Sequence, residues 1–241
     1  MSGHSKWTQI KHRKSITDAK KGLLFSKLVR EIMMAARDGG PSPEINSRLR
    51  QAMERAQTQG LPKNNIEKAV NRGVGTDEGK SLQEFLYEAA APGGITIIIE
   101  GITDNKNRTT AEIKHLLNEH GAKLAESGSL IWGFEKIGSV EMPKEINTGK
   151  SMEEVELAII ESGARDFQYL DGTWLIETDF FKLEKVRQKL EAAGLKIKEI
   201  YHNYKARTPL EPPENLREEV EKLLDELSLH NDVQEIYTNI A

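Results

Sequence analysis

Apolar residues recur every three or four positions between Thr17 and Arg37, at Phe25, Leu28, Val29, Ile32 and Ala36, the spacing that lines one face of an α-helix. Gly39 and Gly40 stop this helix. Ser42 followed by Pro43 supplies an N-cap and a first-turn proline for a second helix, which runs to about Gly60 with Ile45, Leu49, Ala52, Met53 and Ala56 as its buried stripe. Pro62 opens a short third helix carrying Ile66, Ala69 and Val70, and Gly73 ends it. Beyond the Gly- and Asp-rich joint Gly73 to Gly79 the period changes. Short apolar runs predict strands at Glu84–Ala90 and Ile95–Ile102, joined by the turn Ala91-Pro92-Gly93-Gly94, then a helix at Asn107–His120 and a third strand at Leu130–Glu135.

From Gly138 the order becomes strand (Gly138–Met142), helix (Ser151–Glu161), a hairpin (Phe167–Leu170 and Thr173–Glu177, turning at Asp171 and Gly172), helix (Phe181–Ala193) and strand (Leu195–Tyr201). This is the split βαβ pattern of ferredoxin-like domains. Leu216, Val220, Leu223, Leu224 and Leu227 mark a last helix, and Val233–Thr238 a last strand. These two complete the earlier sheet if the residues near 136–205 are an insertion. The expected class is α+β: a helical domain over 1–78, a discontinuous two-layer α/β domain over 79–135 plus 206–241, and an inserted ferredoxin-like α/β domain over 136–205.

With 241 residues, 37% hydrophobic and 30% charged, the chain has the composition of a globular protein of two or three domains. It has no cysteine, which excludes disulfides, thiolate metal sites and thiol nucleophiles and suits a reducing, cytoplasmic setting. The first thirty residues carry no apolar leader core, and the run Ile95–Ile99 is far too short to span a membrane. No phosphate-binding glycine loop, serine elbow or metal-ligand spacing occurs, so no catalytic residue, metal, cofactor or small-molecule substrate is expected.

Charge changes the picture more than composition does. The net −4 hides a division: residues 1–73 hold 15 Lys and Arg against 6 Asp and Glu, a net of +9, and the remainder holds 19 against 32, a net of −13. An excess gathered in one segment is the footprint of a polyanion partner. Lys6, Lys11, His12, Arg13 and Lys14 surround Trp7, a combination suited to phosphate contacts with stacking on a base, although Trp7 equally suits a plug of the helical bundle. On the first helix, Lys20, Lys27, Arg30 and Arg37 fall opposite the Phe25 stripe, which predicts a basic outer face. Arg48, Arg50 and Arg55 on the second helix, with Lys63, Lys68 and Arg72 on the third, extend it, unless some pair with Glu54 or Glu67 along their own helices. The loop Thr103 to Arg108 could hold an anion on Asn107 and Arg108, or Asn107 could be an ordinary N-cap.

The stretches GHSKWTQIKHRKSITDAKKG at 3–22, SRLRQAMERA at 47–56, LPKNNIEKAVNRG at 61–73, APGGITIIIEGITDNKNRTTAEIKHLL at 91–117 and ESGSLIWGFEKIG at 126–138 resemble, in order and spacing, the YebC family. The resemblance implies three domains, the third inserted in the second, no catalysis and no cofactor, with DNA binding and transcriptional control as the usual family description. Some relatives look instead like translation factors, including members that help ribosomes through proline runs and a mitochondrial activator of cytochrome oxidase subunit synthesis. The chain departs from the family pattern at Glu88–Ala91, where a glycine and aromatic stretch is usual, and at Ala125–Ser127, where an Asp-Gly turn is commoner. Three expectations therefore stand: a non-enzymatic regulator of gene expression binding duplex DNA through the basic helices, a ribosome-associated factor binding ribosomal RNA, or a protein-interaction module working through the acidic domains.

Overall fold

The fold is described from a computed structural model over residues 18–75, 82–146 and 149–241. Three helices come first: α1 (Asp18–Gly39), α2 (Ser47–Thr58) and α3 (Lys63–Val74). Leu28, Ile32, Ala35 and Ala36 of α1 meet Leu49, Ala52 and Ala56 of α2 and Ile66, Ala69 and Val70 of α3 in one core. Small residues at these contacts let the helices approach closely. A Cβ on Gly73 would lie 2.4 Å from the Met33 carbonyl oxygen, so this position admits nothing larger than glycine. The second helix starts later than its sequence suggests. Residues 42–46 form a turn closed by Asn46 N–H on Ser42 O at 3.0 Å, and the cap is Asn46. Its buried side chain donates to the carbonyls of Ala35 and Gly40, both at 2.8 Å, and accepts from Leu49 N–H at 3.0 Å, closing α1 and opening α2 with one carboxamide. Ile45, expected in the buried stripe, sits in that turn and is 85% exposed.

The same unit holds a four-stranded antiparallel sheet built from β1 (Gln83–Ala91), β2 (Ile95–Thr103), β3 (Lys123–Leu124) and β8 (Val233–Thr238), in the order β3-β1-β2-β8. Ile95, Ile97 and Ile99 pack against Ile113 and Leu117 of α4 (Lys106–Glu119) and against Val220, Leu223 and Leu227 of α7 (Glu214–Leu229). Strand β8 covers the predicted range and pairs with β2, so the chain returns to its first sheet. The strand expected at Leu130–Glu135 does not form there. Ile131–Gly133 is a single 3-10 turn, and the edge strand is the two-residue β3. The cause is Glu88, whose buried carboxylate accepts the N–H groups of Gly128 at 2.5 Å, Leu130 at 2.6 Å and Ile131 at 2.9 Å. Burial acts to raise this carboxyl, but the three donors outweigh it and hold it below the usual carboxylate range. Backbone donors gathered on one carboxylate cannot also serve a ladder.

The second unit spans Glu135–Lys205. It contains β4 (Phe134–Pro143), α5 (Met152–Ser162), β5 (Asp166–Leu170), β6 (Thr173–Asp179), α6 (Leu183–Ala192) and β7 (Glu199–Ala206), with strand order β5-β6-β4-β7. That order, with strands numbered along the chain, is the ferredoxin-like arrangement. Asp171 and Gly172 both have positive φ, 47° and 80°, which gives the β5–β6 hairpin the turn its twist requires. Val140, Met142, Trp174 and Ile176 pack against Val155 and Ile159 of α5 and Val186 and Leu190 of α6. The last strand begins at Glu199 rather than Leu195, because Leu195 turns inward as part of this core.

Candidate nucleic-acid interface

Lys6, Trp7, Lys11, His12, Arg13 and Lys14 lie outside the described residues. The remaining candidates divide into two groups, and the division was invisible in the sequence.

One group is engaged by the chain's own residues, most of it by the first sheet and α7 in the same unit. The basic side of α1, expected to be an outer face, packs on the α7–β8 corner. Lys27 Nζ donates to the Ser228 carbonyl at 2.7 Å, and Arg30 Nη1 donates to Asn231 O at 2.8 Å and to Asp232 Oδ1 at 2.5 Å. Arg55 pairs with Glu235 and, at 3.5 Å, with Glu31. Arg37 donates to the Leu82 carbonyl and pairs with Asp38 at 3.0 Å, while Arg48 pairs with Asp38 at 3.1 Å and with Glu84. Arg50 donates to Pro43 O at 3.3 Å. Burial drives the Lys27 ammonium down to about 8, with Glu235 opposing and Arg30 and Arg55 reinforcing the shift.

Asp232 organises this seam. Its side chain is 1% exposed, and its Oδ2 accepts from Arg108 Nη2 and Thr109 Oγ1, both at 2.6 Å, and from Thr103 Oγ1 at 3.0 Å, while Oδ1 takes Arg30. Burial acts to raise the carboxyl, but Thr109, Arg108 and Arg30 prevail and hold it at about 2. The backbone is shaped for the same meeting. The β2–β8 register shifts at Glu100/Gly101, and a Cβ on Gly101 would lie 2.1 Å from Asp232 O, the oxygen that accepts Ile102 N–H at 2.8 Å. His230 Nδ1 accepts from Asp232 N–H at 3.2 Å, which leaves Nε2–H to donate to Glu112 at 3.0 Å.

The alternative reading of Asn107 as an N-cap is corrected. The α4 cap is Asn105, whose Oδ1 accepts Arg108 N–H at 3.1 Å, and Asn107 is an exposed residue one position inside the helix start. Arg108 meets Asp104 at 3.0 Å and Glu112 at 3.6 Å besides Asp232.

The second group is open. Lys20 on α1 and Lys63, Lys68 and Arg72 on α3 are exposed. Lys63 lies 3.9 Å from Glu67, one turn on. Lys20, Lys68 and Arg72 pair with no carboxylate among the described residues. Helix α3 buries Ile66, Ala69, Val70 and Gly73 and turns its charged side outward. Sequence reasoning read both groups as one basic surface, by helical period on α1 and as its extension on α2 and α3. It missed Asp232, Glu235 and Glu84, the acidic partners that decide which cations are available. Among the described residues no cluster of His, Asp and Glu is placed to hold a metal ion, and no helix is long and apolar enough to cross a membrane.

A three-helix domain carrying cations, followed by two antiparallel four-stranded sheets with one βαββαβ unit, defines a non-repetitive α+β architecture in which basic helices precede acidic sheet domains. Residues 5–76 match the TACO1/YebC protein N-terminal domain, and residues 82–240 match the TACO1/YebC second and third domain. The chain belongs to the TACO1/YebC family. It is 44% identical over 239 residues to a protein of Thermotoga petrophila, covering 99% of this chain and 93% of that one. It is 45% identical over 241 residues to a protein of Dictyoglomus turgidum, covering 99% and 95%. Both are named probable transcriptional regulatory proteins. The crystal structure of a conserved hypothetical protein from Aquifex aeolicus superposes with a TM-score of 0.89 at 40% identity, covering 98% of this chain and 97% of that one.

Proposed function

We propose that this protein is a non-enzymatic regulator of gene expression that docks on duplex DNA through its amino-terminal helical domain, chiefly by contacts to phosphates. The observation that carries this reading is the outward face of α3, where Lys68 and Arg72 stand exposed without an acidic partner among the described residues. A planar guanidinium and a mobile ammonium four residues apart suit successive phosphates along a backbone. The net +9 of residues 1–73, which includes the run Lys11, Arg13 and Lys14, supplies the longer-range attraction. The names of the relatives agree with a regulatory role. A cytoplasmic location fits such a role.

The test is binding of a fluorescent duplex across a salt series, beside sedimentation with ribosomes at the same salt. Each phosphate contact contributes about 0.9 to the slope of log K against log salt. The pair Lys68→Glu and Arg72→Glu should therefore weaken binding to every duplex and flatten that slope by about 2. An unchanged slope refutes the assignment. Retention on ribosomes without retention on duplex would move it to ribosomal RNA. Failure to bind either would leave the acidic domains as the working surface.

A further inference from the structure

Helix α3 presents more than charge. Its buried positions, Ile66, Ala69, Val70 and Gly73, define one side, and at about 100° per residue the farthest positions from that side are Asn64, Lys68 and Asn71. Arg72 flanks this crest on one edge, and the Lys63–Glu67 pair flanks it on the other. Asn64 and Asn71 are exposed, and neither carboxamide hydrogen-bonds to a described residue. Asparagine is a weaker helix former than Ala, Lys or Glu, because its short side chain competes for nearby backbone groups. Asn64 lies in the first turn of this 12-residue helix and Asn71 in the last, and neither side chain caps it or bonds to a described residue.

We propose that α3 reads base edges in the major groove of duplex DNA, with Asn64 and Asn71 contacting bases and Lys68 and Arg72 fixing the helix on the flanking backbone. This rests on the nucleic-acid reading above and names the element and the edges it reads. A carboxamide offers one donor and one acceptor in the spacing of adenine N7 and N6, which phosphates do not require. The seven-residue step from Asn64 to Asn71 rises about 10 Å, roughly three base-pair steps of about 3.4 Å. The major groove, about 12 Å wide, admits a helix, whereas the deep groove of A-form RNA does not admit side chains.

The experiment is selection of the full-length protein against a pool of random 20-base-pair duplexes, followed by anisotropy titration of the enriched duplex and a scrambled one. The comparison variant is Asn64→Ala with Asn71→Ala, which changes no charge and favours the helix, so misfolding cannot mimic the effect. Wild type should enrich a short motif with an A·T pair near each end and prefer it about tenfold or more over the scrambled duplex. The double variant should lose most of that preference while keeping its affinity for the scrambled duplex and its salt slope. A preference unchanged in the double variant, or wild-type binding that enriches no motif, overturns the proposal and leaves phosphate docking intact. No binding to any duplex overturns both readings together.

Discussion

Replacing Asp232 by Asn tests whether one buried carboxylate holds the helical domain against the first sheet. The change keeps the side-chain volume but strips the counter-charge from Arg30 and Arg108 and turns one acceptor oxygen into a donor facing other donors. Removing one partner of a buried ion pair costs about 3–5 kcal/mol. Arg108 is 42% exposed and retains Asp104 and Glu112, so its share is reduced by water and the lower end applies. An independent route gives a similar size. Holding the carboxyl at about 2 rather than 3.8 corresponds to about 2.5 kcal/mol favouring its charged form in the folded chain, at about 1.4 kcal/mol per pH unit. Because the folded value lies below the unfolded one, this stabilisation is complete above about pH 4 and is lost as pH falls toward 2.

Asp232→Asn should therefore cost about 2–3 kcal/mol at pH 7 and abolish the corresponding part of the acid sensitivity. Native-state hydrogen exchange locates the effect. Amides of β2 and β8 should exchange about 30- to 150-fold faster, the factor that 2–3 kcal/mol implies, while amides of β5 and β6 in the inserted domain keep their protection. Urea unfolding at pH 7 and pH 3 measures the total. A loss under about 1 kcal/mol at pH 7, or equal acceleration in β6, would refute the assignment of Asp232 as the organising charge.

Lys27→Met should remove a pH dependence of the same sign at the alkaline end of the range. The ammonium is held at about 8 in the fold against 10.5 for the free side chain, so wild type gains stability, up to about 3 kcal/mol, as pH rises from 8 to 10.5. Tm measured across that range should rise for wild type relative to the variant, and parallel curves would refute it. Gly73→Ala should destabilise the helical domain by about 1–3 kcal/mol, since the new methyl meets Met33 O at 2.4 Å; an unchanged urea midpoint for α1 exchange would contradict the packing. Ser151→Ala removes one half of the reciprocal cap in which Ser151 Oγ accepts Glu154 N–H at 3.2 Å and Glu154 accepts Ser151 N–H at 2.7 Å, and should cost about 1 kcal/mol, read as a loss of α5 protection.

Most elements were legible because their apolar periods are local. The stripe Leu28, Ile32 and Ala36 specifies α1, the short apolar run Ile95–Ile99 specifies β2, and Asp171-Gly172 specifies a hairpin. The errors fall where a long-range polar contact overrode a local signal. Ser42-Pro43 reads as a helix start, but the buried carboxamide of Asn46 bonds two carbonyls of the preceding segment and sets the cap four residues later. The run after Leu130 reads as a strand, but its donors are taken by Glu88, some 40 residues away. The β4 strand then absorbs Phe134 and Glu135 into a different sheet.

The candidate interface was legible as charge and illegible as geometry, for a reason that bears on how its field should be reckoned. Arg30, Arg55 and Lys27 contribute to the +9 of the first 73 residues, yet each faces the 228–235 segment, about 200 residues on, where Asp232 and Glu235 belong to the acidic remainder. The two halves of the charge division thus partly neutralise each other inside the molecule, and a polyanion meets fewer cations than the sequence sum suggests. A distant partner cannot be inferred from helical spacing, because the same opposite-stripe position serves a seam and a surface alike. What separates them is the company they keep: on the α1 seam the cations meet carboxylates and carbonyls at hydrogen-bond distance, whereas on α3 Lys68 and Arg72 stand beside exposed carboxamides. With docking strength supplied by Lys68, Arg72 and the other open cations, neutral substitutions at Asn64 and Asn71 can alter the choice of sequence without altering the strength of docking.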